Sequence, residues 1–110
     1  MNSRAKGARG ERELAKVLRD NGFPDARRGQ QYSGIHGDAD IVDALDGIHI
    51  ECKRVERLNV SEAMAQSKRD SGELVPIVAH RKNGEQWLVT MELVNWLELY
   101  KAWKGAKNEA

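Results

Sequence analysis

Acidic residues and a lysine interrupt a stretch that otherwise favours β-structure, GDADIVDALDGIHIECKRVE at residues 37–56. Asp40 precedes one apolar run, and Glu51 and Lys53 lie within the next. Two neighbouring carboxylates repel each other, and one of them takes up a proton unless a cation lies between them. Mg²⁺ and Mn²⁺ bind such oxygen ligands together with water and substrate phosphates, and a bound ion acidifies water into a nucleophile. With a lysine beside them to stabilise negative charge, these carboxylates are suited to phosphodiester hydrolysis.

The Asp-Gly pair at residues 46–47 predicts a two-residue type I′ hairpin between the two apolar runs. In this register Asp40 pairs with Lys53, and Glu51 lies on the same face of the sheet as both of them. The opposite face is mostly apolar and consists of Ile41, Asp43, Leu45, Ile48, Ile50 and Cys52. A longer loop or a bulge changes this register. A plain cross-strand ion pair of Asp40 with Lys53, on a solvated face where Glu51 is merely exposed, explains the same spacing without a metal.

A third carboxylate lies on the apolar side of the first predicted helix, Ala8–Asn21. Leu14 and Leu18 form its apolar stripe at helical spacing. Glu11 lies three residues before the first of these and seven before the second, so it shares the stripe. A buried carboxylate is costly unless something compensates its charge. The helix could cover the sheet and bring Glu11 to the same ion, whereas the surface ion pair leaves Glu11 unexplained.

The middle of the chain predicts a second helix and two more strands. Asn59, followed three residues later by Glu62, predicts a helix start, and Gly72 predicts its end. Residues 74–80 and 87–90 predict strands, with a hairpin turn at Asn83-Gly84 between them.

Residues 91–105 predict an amphipathic last helix that ends at Gly105, with a flexible tail over 105–110. The element order is therefore α-β-β-α-β-β-α. It predicts a single α/β domain, residues 1–110, in which helices flank a mixed β-sheet.

Composition excludes several classes of protein. One cysteine in 110 residues allows neither an intramolecular disulfide nor a CxxC metal site. No apolar run approaches the roughly 18 residues of a membrane span, and the charged N-terminus does not predict a secretory signal. We therefore expect a cytoplasmic protein. Lys and Arg exceed Asp and Glu by 18 to 17, so nucleic-acid binding is suggested only by the locally basic residues 1–30. Four candidate phosphate contacts lie there: Lys6, Arg9, Arg27 and Arg28.

The segments DADI and IECK, preceded by KGARGERELAKVLRDNGFPDARR, resemble the PD-(D/E)xK nucleases. They are similar in particular to archaeal-type Holliday junction resolvases and their phage relatives, over roughly residues 6 to 90. The resemblance implies a restriction-endonuclease-like fold with an αβββαβ core, Mg²⁺-dependent cleavage of DNA four-way junctions with Mn²⁺ able to substitute, and an intracellular enzyme of a cell or a phage. The alternatives are a related nuclease of nicking, flap or restriction-like specificity, and a DNA-binding protein without activity.

Site residues follow from the resemblance position by position. Asp40, Glu51 and Glu11 match the metal ligands, and Lys53 matches the lysine of the motif. Looser matches are Gln66 on the following helix and Ser33, which corresponds to a serine that contributes to cleavage in the resolvases and is included with the DNA contacts. Ala39 departs from the proline that often precedes the aspartate. Asp38 remains an alternative ligand.

Two further expectations concern residues outside this motif. Cys52 is expected to be a small core residue rather than a nucleophile, and His49 is given a minor chance of touching substrate. Trp96 and Trp103 share one face of the last helix, where they either complete the core or serve a twofold dimer. We hypothesise a homodimer, since symmetric cleavage of a four-way junction needs two active sites.

Overall fold

The structure is a computed structural model that describes residues 3–29 and 39–109, and the side chains of 7–29 and 39–107. Three helices and five strands follow one another along the chain: α1 (Ser3–Asp20), β1 (Arg27–Arg28), β2 (Ile41–Val42), β3 (Ile48–Arg54), α2 (Val60–Asp70), β4 (Val75–Arg81), β5 (Leu88–Met91) and α3 (Leu93–Glu109). The predicted α/β class with a mixed, helix-flanked sheet is confirmed. The predicted element order was wrong in one respect, because it lacked β1.

The five strands form one sheet in the order β1-β2-β3-β4-β5. All neighbouring strands are antiparallel except β3 and β4, which are parallel. Parallel neighbours require a crossover connection, and α2 provides it. Because β3 and β4 are the longest strands and lie at the centre, side chains that alternate along them define the two faces of the sheet.

The predicted register of the first hairpin was wrong by two residues. Ile41 pairs with Ile50, rather than with Cys52. The connection is longer than two residues: Asp43 has a positive φ of 57°, and a turn follows in which the Ile48 amide donates to the Leu45 carbonyl at 3.0 Å. A shift by two residues preserves the alternation of faces, so Asp40 now lies opposite Glu51 instead of Lys53.

Helix α1 covers one face of the sheet, which we call the α1 face. Leu14 and Ala15 of α1 belong to one buried cluster with Ile41, Ala26, Ile50, Cys52, Ile77 and Ala79. Gly10 allows the close approach, because a Cβ at this position would lie 2.5 Å from the Cβ of Arg54 on β3. Cys52 is buried here, as expected for a core residue. Helix α1 starts at Ser3, earlier than the predicted Ala8.

Helix α2 covers the opposite face, which we call the α2 face. Asn59 caps its N-terminus as predicted, since the Asn59 side chain accepts from the Glu62 amide at 3.0 Å. Gly72, with a positive φ of 58°, follows its end. Ser67 anchors the helix to the sheet: its hydroxyl is fully buried and donates to the Ile77 carbonyl at 3.0 Å.

Helix α3 differs from the other two helices. It continues through Gly105 to Glu109, so the predicted end at Gly105 was wrong, and residues 105–109 are helical. No side chain among its residues 93–107 is buried. None of the described helices is long and apolar enough to span a membrane.

Candidate functional site

Asp40 directly precedes β2, where three hydrogen bonds to two neighbouring segments fix it. Its amide donates to the Ile50 carbonyl at 3.0 Å, and its carbonyl accepts from the Gly29 amide at 2.9 Å. Its carboxylate Oδ2 accepts from the Cys52 amide at 2.8 Å. Gly29 is required for this approach, because a Cβ there would overlap the carbonyl oxygen of Ala39. The short strands β1 and β2 thus hold the Asp40 carboxylate against β3.

Asp40 and Glu51 form a buried pair of carboxyl groups. Asp40 is 6% exposed and Glu51 is 2% exposed. Burial raises the pKa of Asp40 from 3.8 to about 7, and the negative charge of Glu51 is the next largest cause. The Cys52 amide opposes this rise, while the charge of Glu11 and a hydrogen bond with the Glu51 side chain add to it. Near neutral pH, Asp40 is therefore partly protonated, because its ionised form is disfavoured in a buried position beside the charge of Glu51.

Glu51 also lies at the centre of a second group of possible ligands. The His49 ring nitrogen Nε2 lies 3.0 Å from Glu51 Oε1, and both side chains are almost completely buried. His49, Glu51 and Asp70 each offer a ligand atom, and these atoms lie within 4.8 Å of one another. Asp70 ends α2, so the helix that covers this face adds a carboxylate. At 1% exposure, His49 lies behind Glu51, where it contacts that carboxylate rather than the protein surface.

Lys53 follows Glu51 on the same face of β3. Its ammonium Nζ donates to Gln66 Oε1 on α2 at 3.1 Å. Both side chains are partly buried, so this contact fixes the ammonium on the face of β3 that also carries Glu51. The looser sequence match at Gln66 therefore coincides with a contact to the lysine of the motif.

Glu11 is buried on α1, as its place on the apolar stripe predicts, and is 8% exposed. Its Oε1 accepts from Arg28 Nε of β1 at 3.0 Å, and its charge helps to raise the pKa of Asp40. Glu11, Asp40 and Glu51 do not meet as a trio: in the described part of the chain, only His49, Glu51 and Asp70 bring three ligand atoms within 4.8 Å of one another. Arg28, expected to contact DNA, thus neutralises the third predicted ligand.

The other predicted DNA contacts differ in exposure, in pairing and in whether the structure describes them. Arg9 is exposed on α1, and Arg27 Nε pairs with Asp43 Oδ2 at 2.8 Å on the surface. Lys6 lies in α1, with its side chain outside the described part. Ser33 and the alternative ligand Asp38 lie in residues 30–38, outside the described residues. Their roles stay predictions.

Cys52 and His80 do not suggest a nucleophile or a base. Burial, followed by the negative charge of Asp40, raises the pKa of the Cys52 thiol, so the thiolate is disfavoured. His80 Nε2 lies 2.8 Å from the Thr90 hydroxyl, and partial burial lowers its pKa, which favours the neutral ring. His80 therefore pairs with Thr90 of β5, and Cys52 contacts Asp40 through its backbone amide.

Sequence reasoning missed Asp70 and underrated His49. A signal for both was present: His49 has the same strand parity as Glu51, and Asp70 lies four residues after Gln66, on the same side of α2. If the side of α2 that faces the sheet had been assigned from Gln66, Asp70 would have been predicted to lie on that same side.

The donor atoms fit a divalent cation. A buried carboxyl group whose pKa is raised by burial and by neighbouring carboxylates marks a position where a cation can replace the proton. Asp40 and Glu51 supply the hard oxygen atoms that Mg²⁺ and Mn²⁺ prefer, and Asp70 adds another.

Comparisons of this chain with protein-family models, with curated proteins and with solved structures found no match.

Proposed function

We propose that this protein is a divalent-metal-dependent endonuclease of the PD-(D/E)xK type that hydrolyses DNA phosphodiester bonds. The observation that carries the proposal is the buried contact of Asp40 with Glu51, beside Lys53. Burying two carboxyl groups in a domain of this size is destabilising, and a surface ion pair does not require it. The sequence resemblance and the order of the first six elements, αβββαβ, support the same proposal.

The residues divide the chemistry between them. Asp40 and Glu51 would hold the ion, with Glu11 as the third, more distant carboxylate. When bound, such an ion supplies an activated water and neutralises charge on the phosphate. Lys53, oriented by Gln66, places an ammonium beside the attacked phosphate and stabilises the negative charge that develops there. His49 holds Glu51 in place from the buried side, because a carboxylate accepts from Nε2–H.

Four-way junctions are the substrate that the resemblance favours, and an intracellular location follows from a DNA substrate. The locally basic residues before Asp40 support DNA binding: Arg9 and Arg27 are exposed on α1 and β1. Arg28 of β1 is tied to Glu11 and would orient that carboxylate rather than bind a phosphate.

The proposal is tested with labelled DNA. The wild-type chain and Glu51→Ala are incubated with a four-way junction, a flap and a linear duplex, in Mg²⁺, in Mn²⁺ or in EDTA. We expect paired nicks in the junction that require the ion and Glu51. Cleavage of all three substrates would retain the nuclease and reject the junction specificity, while absence of cleavage in both metals would reject the proposal.

A further inference from the structure

A histidine and two carboxylates from two elements meet on the α2 face. His49 and Glu51 lie two residues apart on β3 and so share that face, and Asp70 is the last residue of α2. One ligand atom from each lies within 4.8 Å of the other two, and His49 Nε2 lies 3.0 Å from Glu51 Oε1. In the part of the chain that the structure describes, this is the only group of three such ligands.

Asp70 occupies an unfavourable position for an unpaired carboxylate. It ends α2, where the helix dipole presents its negative end, and it lies close to Glu51. Among the described residues, the Asp70 side chain makes no hydrogen bond and no ion pair, and the nearby Lys68 pairs with Glu92 at 3.0 Å. Two carboxylates at the end of a helix raise the free energy of the protein, and a bound cation would lower it.

His49 determines which cation suits this group. Asp40 and Glu51 offer only oxygen atoms, which Mg²⁺ prefers, whereas His49 adds an imidazole nitrogen, which suits Zn²⁺. Zn²⁺ binds imidazole and carboxylate with bonds of about 2.0–2.2 Å, so its tetrahedral ligand atoms lie about 3.3 Å apart. The 3.0 Å between His49 and Glu51 is close to this value, and a shift of at most about 1.5 Å brings Asp70 to it.

A cavity beside His49 offers space for a further ligand. It has a volume of about 300 Å³, lies at the hairpin between β2 and β3, and is lined by His49 together with Val42, Ile48 and Leu74. Three protein ligands leave one position of a tetrahedral Zn²⁺ open to water. A cavity of this size holds such a water, which makes the coordination complete.

From these features we infer that His49, Glu51 and Asp70 form a second cation site, which takes Zn²⁺ rather than Mg²⁺ and fastens the end of α2 to β3. When the ion binds, Nε2 of His49 is a ligand, so the ring proton lies on Nδ1 instead of being donated to Glu51. Glu51 is common to this site and to the position beside Asp40. The inference does not rest on the proposed nuclease activity, because the ligand set and its geometry carry it.

Zinc binding to the metal-free full chain, measured by calorimetry without DNA, tests the site. We expect one Zn²⁺ per chain that an excess of Mg²⁺ of about 100-fold does not displace. Asp70→Asn, at a partly exposed helix end, and His49→Gln should each weaken Zn²⁺ binding at least about 10²-fold, since each removes a ligand. Asp20→Asn, which ends α1 and is exposed, is the matched control and should bind Zn²⁺ as the wild type does.

Asp40→Asn separates this site from the proposed catalytic position. It should weaken Zn²⁺ binding less than Asp70→Asn does, because Asp40 is not one of the three ligands. An unchanged affinity in Asp70→Asn, or a loss no larger than that in Asp40→Asn, would overturn the inference. None of these measurements involves DNA, so their outcome is independent of whether the chain cleaves it.

Thermal unfolding tests the role of the site in holding α2. Zn²⁺ should raise the unfolding temperature of the wild type and leave that of Asp70→Asn unchanged. Without metal, Asp70→Asn should unfold at or above the wild-type temperature, because it removes an unpaired charge from the end of α2. Equal effects of Zn²⁺ on the two proteins would overturn the assignment of Asp70 as a ligand.

Discussion

The α2 face of the sheet and helix α3 distribute polar and apolar side chains in opposite ways. On the α2 face, the side chains of His49 and Glu51 are at most 2% exposed, and Asp40 at the edge of this face is 6% exposed. On α3, Trp96 and Trp103 are about half exposed, and Leu93 is 69% exposed. Globular domains ordinarily place these residue types the other way round.

Each of these two placements raises the free energy of the isolated folded chain, and the physical causes differ. Buried carboxyl groups lose hydration, which hydrogen bonds from the Cys52 amide and from His49 restore only in part. Exposed indole and leucine side chains order water, which only a covering surface can release. We expect the first region to be completed by a cation and the second by a protein surface, so the two should respond to different perturbations.

The largest effect is expected from Lys53, which lies in the polar region but is not a metal ligand. Lys53→Met should lower single-turnover DNA cleavage by about 10²–10³-fold, because it removes the cation that stabilises charge on the attacked phosphate. Lys82→Met, an exposed lysine after β4, is the matched control and should change cleavage less than about twofold. Equal losses in the two variants would mean that the effect comes from overall charge.

The stability of the metal-free protein should depend on pH through Asp40. Its folded pKa is raised from 3.8 to about 7, so the folded state binds more protons than the unfolded state between these values. The free energy of unfolding should therefore fall as the pH rises through this window, by at most about 4 kcal/mol. Asp40→Asn keeps an acceptor for the Cys52 amide and removes the titration. Urea unfolding in EDTA should give a flatter pH dependence for this variant, and parallel curves would contradict the assignment.

The packing of α1, which carries Glu11, depends on Gly10. Gly10→Ala places a Cβ 2.5 Å from that of Arg54, so we expect a loss of about 1–3 kcal/mol in the free energy of unfolding. Gly105→Ala is the contrasting variant: it lies in α3 with open space around it and should stabilise the helix by up to about 1 kcal/mol. Denaturant unfolding measures both, and a neutral result at Gly10 would show that α1 can move away from β3.

The smallest effect on stability is expected at Arg27, whose pair with Asp43 is exposed. Arg27→Ala should change the free energy of unfolding by less than about 1 kcal/mol. If Arg27 contacts a phosphate, the same variant should reduce the slope of DNA affinity against salt concentration by about one. Arg57→Ala, an exposed arginine after β3, is the control. An unchanged salt slope at Arg27 would remove it from the DNA contacts.

Local signals predicted much of this fold from the sequence. Asn59 and Gly72 predicted the start and the end of α2, because each has a specific backbone role. Helical spacing predicted the burial of Glu11, and strand alternation put Glu51 and Lys53 on one face. These features depend on neighbours within a few residues, which the sequence displays directly.

Features that depend on tertiary contacts escaped prediction. The hairpin register was wrong because Asp43 adopts a positive φ in a connection longer than its Asp-Gly turn suggests. The two-residue strand β1 exists only through its pairing with β2. The spacing from Gln66 gives the side of α2 on which Asp70 lies, but its distance to Glu51 depends on how α2 packs on the sheet.

The central claim is that the buried carboxylates of Asp40 and Glu51 bind the ion that cleaves DNA. The most direct measurement is the single-turnover nicking rate of a labelled four-way junction as Mg²⁺ is raised from zero, for the wild type and for Glu51→Gln. We expect saturable, ion-dependent nicking by the wild type and a loss of at least about 10²-fold in Glu51→Gln, with Glu73→Gln, an exposed control, unchanged. Nicking that is equal in the wild type and Glu51→Gln, or that persists in EDTA, would contradict it.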